Sequence, residues 1–349
     1  MSAPSGVNLV FHSIGPGGGM ERYVTDVITE LCRRGIPVRG IARKLDWNDA
    51  PPGAEFVVIR DKTPFSRVNN ALFERRALEA CRPGWKTIGI SRVPGAVDLA
   101  IAGGTHRGHL NDKGKRRPGF FDRLTIRHET LFYQNARAIM PHSRRVAAEI
   151  HQLYDIPAAK LAVHYPPVDT RKFSLSARDN RESIRRELGV GPQQFMLLFP
   201  SNNHALKGAE LILEALAGMS EDIVLVAAGK APLHGKRVVN AGFRTDMPGM
   251  YAAADATILA SKYEAFGLVG PESMLCGTPV LLANTVGAVE ALSEPGCFSF
   301  ARDVDALRAS LRKAMAMTGV SPQQLEKSIC YPYSLHEHVS ELLKLMEAQ

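Results

Sequence analysis

Val7-Asn8-Leu9-Val10-Phe11, then Gly15-Pro16-Gly17-Gly18-Gly19, then the stretch from Met20 to Leu31 form the succession that decides the fold. A short β-prone run is followed by a glycine turn. After it Met20, Tyr23, Val24, Val27, Ile28 and Leu31 recur at three- and four-residue spacing, the period of a helix with one apolar face, and Gly35 stands where such a helix stops. Val38-Arg39-Gly40-Ile41 reads as the next strand. Strand, helix and strand in this order are a βαβ unit, which implies a parallel sheet.

The pattern returns from Phe195. A strand over Phe195 to Phe199 leads through a loop to a helix from about Gly208, and a second strand runs from Ile223 to Ala228 and ends at Gly229. Thr257 to Ala260 reads as a strand before a loop and helix, and Val280 to Leu282 as another after Gly277. A chain of 349 residues is too long for one ordinary core. The expectation is therefore an α/β protein of two Rossmann-like domains with parallel sheets and a cleft between them. Tyr165-Pro166-Pro167-Val168-Asp169 to Asn180 is proline-containing and polar, and places the boundary near residue 172. Residues 1–172 form the first domain and 173–330 the second. In residues 331–349, Leu335, His338, Val339, Leu342, Leu343 and Met346 share one helical face, which must pack on one of the two, with the first the expected host.

Composition is that of an ordinary globular protein, 45% hydrophobic and 22% charged, with no low-complexity tract. No apolar run approaches the ~20 residues that cross a bilayer, and the first residues lack the pattern of an export signal. Five scattered cysteines without a C-x-x-C pair argue against a disulfide framework or a zinc site and fit a reducing cytoplasm. The net charge of +8 is unevenly placed: residues 1–172 carry 27 Lys and Arg against 16 Asp and Glu. Such a face suits nucleic acid, an anionic membrane or a phosphorylated acceptor.

Glu264 and Glu272 flank Phe266-Gly267-Leu268-Val269 after a buried strand. A turn opening a helix at the carboxyl end of such a strand points backbone N–H groups at an anion, and two carboxylates beside it suit sugar and ribose hydroxyls, which donate to them. Taken as isolated residues, Glu264 would cap the helix and Glu272 would lie on its solvated face. Lys207-Gly208 opens the first helix of the second half, where an ammonium meets a diphosphate. The loop from Gly15 to Gly19 is by itself as readily a tight turn as a phosphate contact. Arg22 occupies the place of the third glycine of G-x-G-x-x-G, which disfavours NAD. His106, after Asp98 to Gly104, stands at the end of a strand, where a histidine is either structural or a partner for a sugar hydroxyl or acceptor; His109 is the next candidate.

Glu264-x7-Glu272, with Phe266-Gly267 between and Gly277-Thr278-Pro279-Val280 after, resembles the E-x7-E signature of retaining GT-B glycosyltransferases of family 4. Gly17-Gly18-Gly19-Met20-Glu21-Arg22, Met250 to Asp255 and Pro166-Pro167-Val168-Asp169 with Phe173 extend the likeness, which is closest to the lipopolysaccharide core glucosyltransferase group. The resemblance implies that Glu264 contacts the transferred sugar, Glu272 the ribose, and the backbone of Phe266, Gly267, Leu268 and Val269 the sugar and phosphates. It implies that Gly18 and Gly19 touch donor phosphates or acceptor, that Lys207 meets the leaving group, and that His106 acts near the sugar or acceptor. It also implies a nucleoside diphosphate sugar donor, UDP being the expected nucleotide, and a glycan or glycolipid acceptor. No cofactor and no metal are expected. The family has an arginine near Lys207 that is missing here, which leaves Lys230 or Arg244 to supply the charge.

From Arg107 to Arg127 the chain carries seven arginines and lysines interleaved with Phe120, Phe121 and Leu124. This is either a solvated basic loop or a contact for an anionic membrane, the second implying a cytoplasmic protein held peripherally on the inner membrane face. Asp303-Val304-Asp305 looks like a metal-binding D-x-D but sits where a late helix begins and reads as its cap. A sugar-nucleotide epimerase is the alternative on the same fold. A basic nucleic-acid-binding protein is the alternative of another class, disfavoured because no binding module or aromatic platform accompanies the charge.

Overall fold

The computed structural model describes residues 4–15, 17–115 and 117–347; Met1 to Ala3, Pro16, Arg116, Ala348 and Gln349 lie outside them. The chain divides into two compact units, residues 1–167 with 332–349, and residues 168–331. The division falls before the expected residue 172 because Val168 and Phe173 are buried with the second unit, Phe173 lying 6.1 Å from the ring of Tyr251.

The first unit is built on six strands: β1 (Val7–Val10), β2 (Val38–Ala42), β3 (Ala54–Val58), β4 (Lys86–Gly89), β5 (Val97–Ala102) and β6 (Ala136–Pro141). Their order is β3-β2-β1-β4-β5-β6 and every pairing is parallel. The central strands are buried on both faces, as parallel strands covered by helices must be. The helix Gly19–Arg33 buries Tyr23, Val24, Val27, Ile28 and Leu31 against this sheet. It ends where the sequence predicts. Gly35 takes φ +76°, its N–H bonds Cys32 O and that of Ile36 bonds Leu31 O, the paired closure that a left-handed residue after a helix makes.

The second unit repeats the plan with β7 (Phe195–Pro200), β8 (Ile223–Ala228), β9 (Val238–Gly242), β10 (Ala256–Leu259), β11 (Val280–Ala283) and β12 (Cys297–Phe300). The order is β9-β8-β7-β10-β11-β12, again all parallel. The two sheets thus share one topology. The helix Leu335–Glu347 closes the first unit, placing Val339, Leu342 and Met346 in its core beside Val7, Tyr23 and Val27. Burying side chains of this kind stabilises by roughly 1.5–3 kcal/mol each.

Candidate active site

In each sheet the chain leaves the first strand in one direction and later returns to its other side, between β1 and β4 and between β7 and β10. At such a reversal the loops at the carboxyl ends of the two adjoining strands diverge and leave a crevice.

In the second unit those loops are Ser201 to Lys207 after β7 and Ala260 to Leu268 after β10. Asn203 caps a single helical turn, His204–Lys207, through the Leu206 N–H. The chain then breaks at Gly208 before the helix Ala209–Ala217. Gly208 has φ +81°, and a Cβ there would lie 2.1 Å from the Ala260 carbonyl oxygen. Only glycine lets the two loops meet so closely. The Lys262 N–H donates to Leu206 O at 2.9 Å, a second tie between them.

This packing joins the two ends of the sequence signal: Lys207 Nζ donates to Glu264 Oε2. Glu264 itself is anchored through its backbone, its carbonyl accepting from the Gly287 N–H at 3.0 Å. Phe266 is buried against the Tyr331 ring, and its carbonyl accepts from Ala288 at 2.7 Å. Leu268 precedes the helix Val269–Leu275, whose first N–H groups have no intrahelical acceptor. Glu272 is on that helix, is only 4% exposed, and accepts from the Tyr251 hydroxyl at 3.1 Å. Lys207, Glu264 and the Phe266 to Val269 backbone therefore share one place, with Glu272 set deeper.

The two cations considered as substitutes for the missing arginine fare differently. Arg244 is held by Asp246, at 2.9 Å, and by Glu187, and these bonds raise its pKa; its charge is already compensated. Lys230 lies over the Phe243 ring at 5.5 Å. Asp303 caps the helix Val304–Ala316 by accepting from the Ala306 N–H at 2.8 Å.

In the first unit, Gly18 and Gly19 begin the helix after the glycine turn, and nothing lies within 4 Å of where a Cβ on Gly19 would be. The loop leading to His106 adjoins it: a Cβ on Gly103 would lie 2.9 Å from Met20 Sδ. His106 opens the helix His106–Asp112. Its Nε2 is 3.1 Å from Asp122 Oδ1, and its N–H donates to Glu129 at 2.8 Å. Hydrogen bonds from Lys115 and the Gly119 N–H hold the Asp122 carboxyl well below the usual carboxylate range. Burial lowers the pKa of neighbouring His109.

Behind His106 lies a charged cluster that sequence reading missed, since its members come from four distant segments. Glu74 meets His128 at 2.5 Å and His12 at 3.2 Å, and Arg92 meets Glu129 at 3.1 Å. Burial pushes the Glu74 pKa up, but the bonds from His12 and His128 outweigh it and leave it low. His106, Asp122, Arg67, Asn70 and Arg92 line a cavity of about 140 Å³.

The basic segment takes in the helix His106–Asp112 from Arg107 onward and the first half of the helix Phe120–Asn135. Phe120 is 69% exposed and Phe65 67%, and Arg67 lies over the Phe121 ring at 5.7 Å. Arg107, Arg123 and Arg127 line an open groove, with Ile126 and Leu131 between. Among the described residues no helix is long and apolar enough to cross a membrane.

Residues 17–172 match the model of the family described as Glycosyltransferase Family 4, and residues 180–328 that of Glycosyl transferases group 1. A probable transglycosylase of Burkholderia thailandensis is 34% identical over 351 residues, spanning 97% of this chain and 96% of the relative. The chain is a family 4 glycosyltransferase. The lipopolysaccharide glucosyltransferase WaaG of Escherichia coli K12 is 23% identical over 94% of this family 4 chain and 96% of its own length. A crystal structure of WaaG superposes with a TM-score of 0.72 at 20% identity, covering 98% of this chain and 97% of that one. Anabaena HepE in complex with UDP-glucose superposes at 0.70 with 18% identity, covering 97% and 99%. These likenesses establish the GT-B fold, whose two parallel sheets are those described above.

Proposed function

We propose that this glycosyltransferase moves a hexose from a UDP-sugar to a hydroxyl of a glycan or glycolipid of the lipopolysaccharide core type, with retention of anomeric configuration. The observation that carries this is the Lys207 to Glu264 contact at the strand reversal of the second unit. A donor diphosphate offers Lys207 a stronger partner than one carboxylate, and a sugar hydroxyl donates to the Glu264 oxygen so released. Glu272 takes the ribose hydroxyls, and the Phe266 to Val269 backbone lines sugar and phosphates. In the first unit Gly18 and Gly19 are assigned to the donor phosphates or the acceptor, and His106 to the sugar or the acceptor. The name of WaaG and the UDP-glucose bound to HepE support the choice of donor.

In the transfer, the bond from the anomeric carbon to the phosphate oxygen breaks and one to the acceptor oxygen forms on the same face. The acceptor proton passes to the departing diphosphate, whose charge Lys207 stabilises as it develops. Neither a cofactor nor a chelated metal enters this scheme. The exposed Phe120 beside Arg123 and Arg127 supports a peripheral attachment to an anionic membrane, on its cytoplasmic face.

Screening nucleotides and sugar nucleotides by thermal shift tests the donor, because a ligand bound only by the folded state raises its melting temperature. UDP and a UDP-hexose are expected to raise it; no response to any common nucleotide rules the donor out. The anomeric proton signal of the product then reports retention. Epimerised sugar nucleotide released without an acceptor would instead identify an epimerase.

A further inference from the structure

Lys207 is one charge facing a leaving group of two phosphates, and Arg244 is held by its own carboxylates. We propose that Arg302 is the second cation of the donor site and binds the diphosphate, an inference that rests on the nucleotide-sugar reading above. Arg302 follows β12 at its carboxyl end, two strands from β10, and is far from Lys207 in sequence. Its Nε nonetheless donates to the carbonyl of Ala260 at 2.9 Å. That oxygen is the one against which Gly208 is pressed, 2.1 Å from where its Cβ would be. Arg302 and the Lys207-Gly208 turn therefore meet at a single atom.

The charge of Arg302 is uncompensated. Among the described residues it has no carboxylate within ion-pair distance, and the adjacent Asp303 is turned to the Ala306 N–H as a helix cap. With Nε fixed on Ala260, the two Nη groups keep four N–H donors in a planar fork, the geometry that takes phosphate oxygens in pairs. A half-buried cation without a counter-charge costs desolvation that an arriving anion offsets. Sequence spacing gives no hint of this residue, because it is brought in by the edge strand.

Arg302→Met and Arg302→Lys are to be titrated against UDP, GDP and ADP by calorimetry, and against the free nucleosides at millimolar concentration by saturation-transfer NMR. Arg302→Met is expected to bind the preferred diphosphate about 10- to 100-fold more weakly, the range for a charged hydrogen bond, and the nucleoside as well as the wild type does. Arg302→Lys, which keeps the charge but not the fork, is expected to fall between. Unchanged diphosphate affinity overturns the proposal, and so does an equal loss for diphosphate and nucleoside, which would mark Arg302 as a strut between β12 and β10. Wild-type protein that binds none of the diphosphates removes the donor reading itself; a wild type that binds while Arg302→Met loses nothing removes only the role of Arg302.

Discussion

Lys207 Nζ and Glu264 Oε2 are bonded across 57 residues of sequence, the cation on the turn after β7 and the carboxylate on the loop after β10. The two side chains are 23% and 24% exposed. An ion pair so open to water contributes about 1 kcal/mol or less. It holds both groups in place and parts readily when a ligand offers each a better partner.

Lys207→Met is accordingly expected to lower kcat/KM by about 100-fold or more, as the loss of one preorganised charge at a leaving group does. The stability change should stay within about 1 kcal/mol. Steady-state transfer assays and thermal melts check both; a large drop in melting temperature with transfer intact would contradict the assignment. Glu264→Gln should weaken sugar-nucleotide binding more than binding of the bare nucleotide.

Chelation is expected to leave the enzyme active. Transfer measured in excess EDTA should match transfer in magnesium or manganese, and activity restored only by a divalent ion would require a metal in the mechanism.

Membrane attachment should depend on Phe120, Arg123 and Arg127. Vesicles containing phosphatidylglycerol should bring down the wild type at low salt, while pure phosphatidylcholine should not. Phe120→Ala with Arg123→Ala and Arg127→Ala should abolish the difference. Equal binding to both vesicles would remove the electrostatic account.

Acid should loosen the first unit through His142. Burial, with His164 adding to it, pushes the His142 pKa down to about 3 from 6.5. The unfolded chain therefore binds a proton that the folded one refuses between these values. Stability is full above about pH 6.5 and falls as pH drops toward 3, by about 1.4 kcal/mol per pH unit for this one group. Urea unfolding at several pH values should show that slope reduced in His142→Gln; an unchanged slope would exclude His142 as a source.

Leu342 links the end of the chain to the first core. Leu342→Ala should cost about 2–5 kcal/mol in unfolding free energy, the range for a buried leucine. A smaller loss would mean that the last helix packs more loosely than its burial indicates.

Local features were legible where they obey a period or a spacing. The helix Gly19–Arg33 and its stop at Gly35 follow from apolar repeats and one glycine. The paired Glu264 and Glu272 were found by their interval, and the C-terminal face by Val339, Leu342 and Met346. His106 could be noticed, but its partners Asp122 and Glu129 come from a later helix, and no sequence interval ties them to it.

By itself the sequence determined two α/β units with parallel sheets, because strand and helix periods are written in neighbouring residues and chirality leaves few ways to connect them. It also carried the family, through the nine residues from Glu264 to Glu272 and the separate short stretches that extend the likeness. Only the tertiary structure decided which charges meet. Lys207 reaches Glu264 because β7 and β10 are adjacent in the sheet and far apart in the chain; Arg244 is taken up by Glu187 and Asp246, and Arg302, after β12, lies against Ala260 two strands away. Coulomb energy depends on distance in space, and that distance is set by strand order.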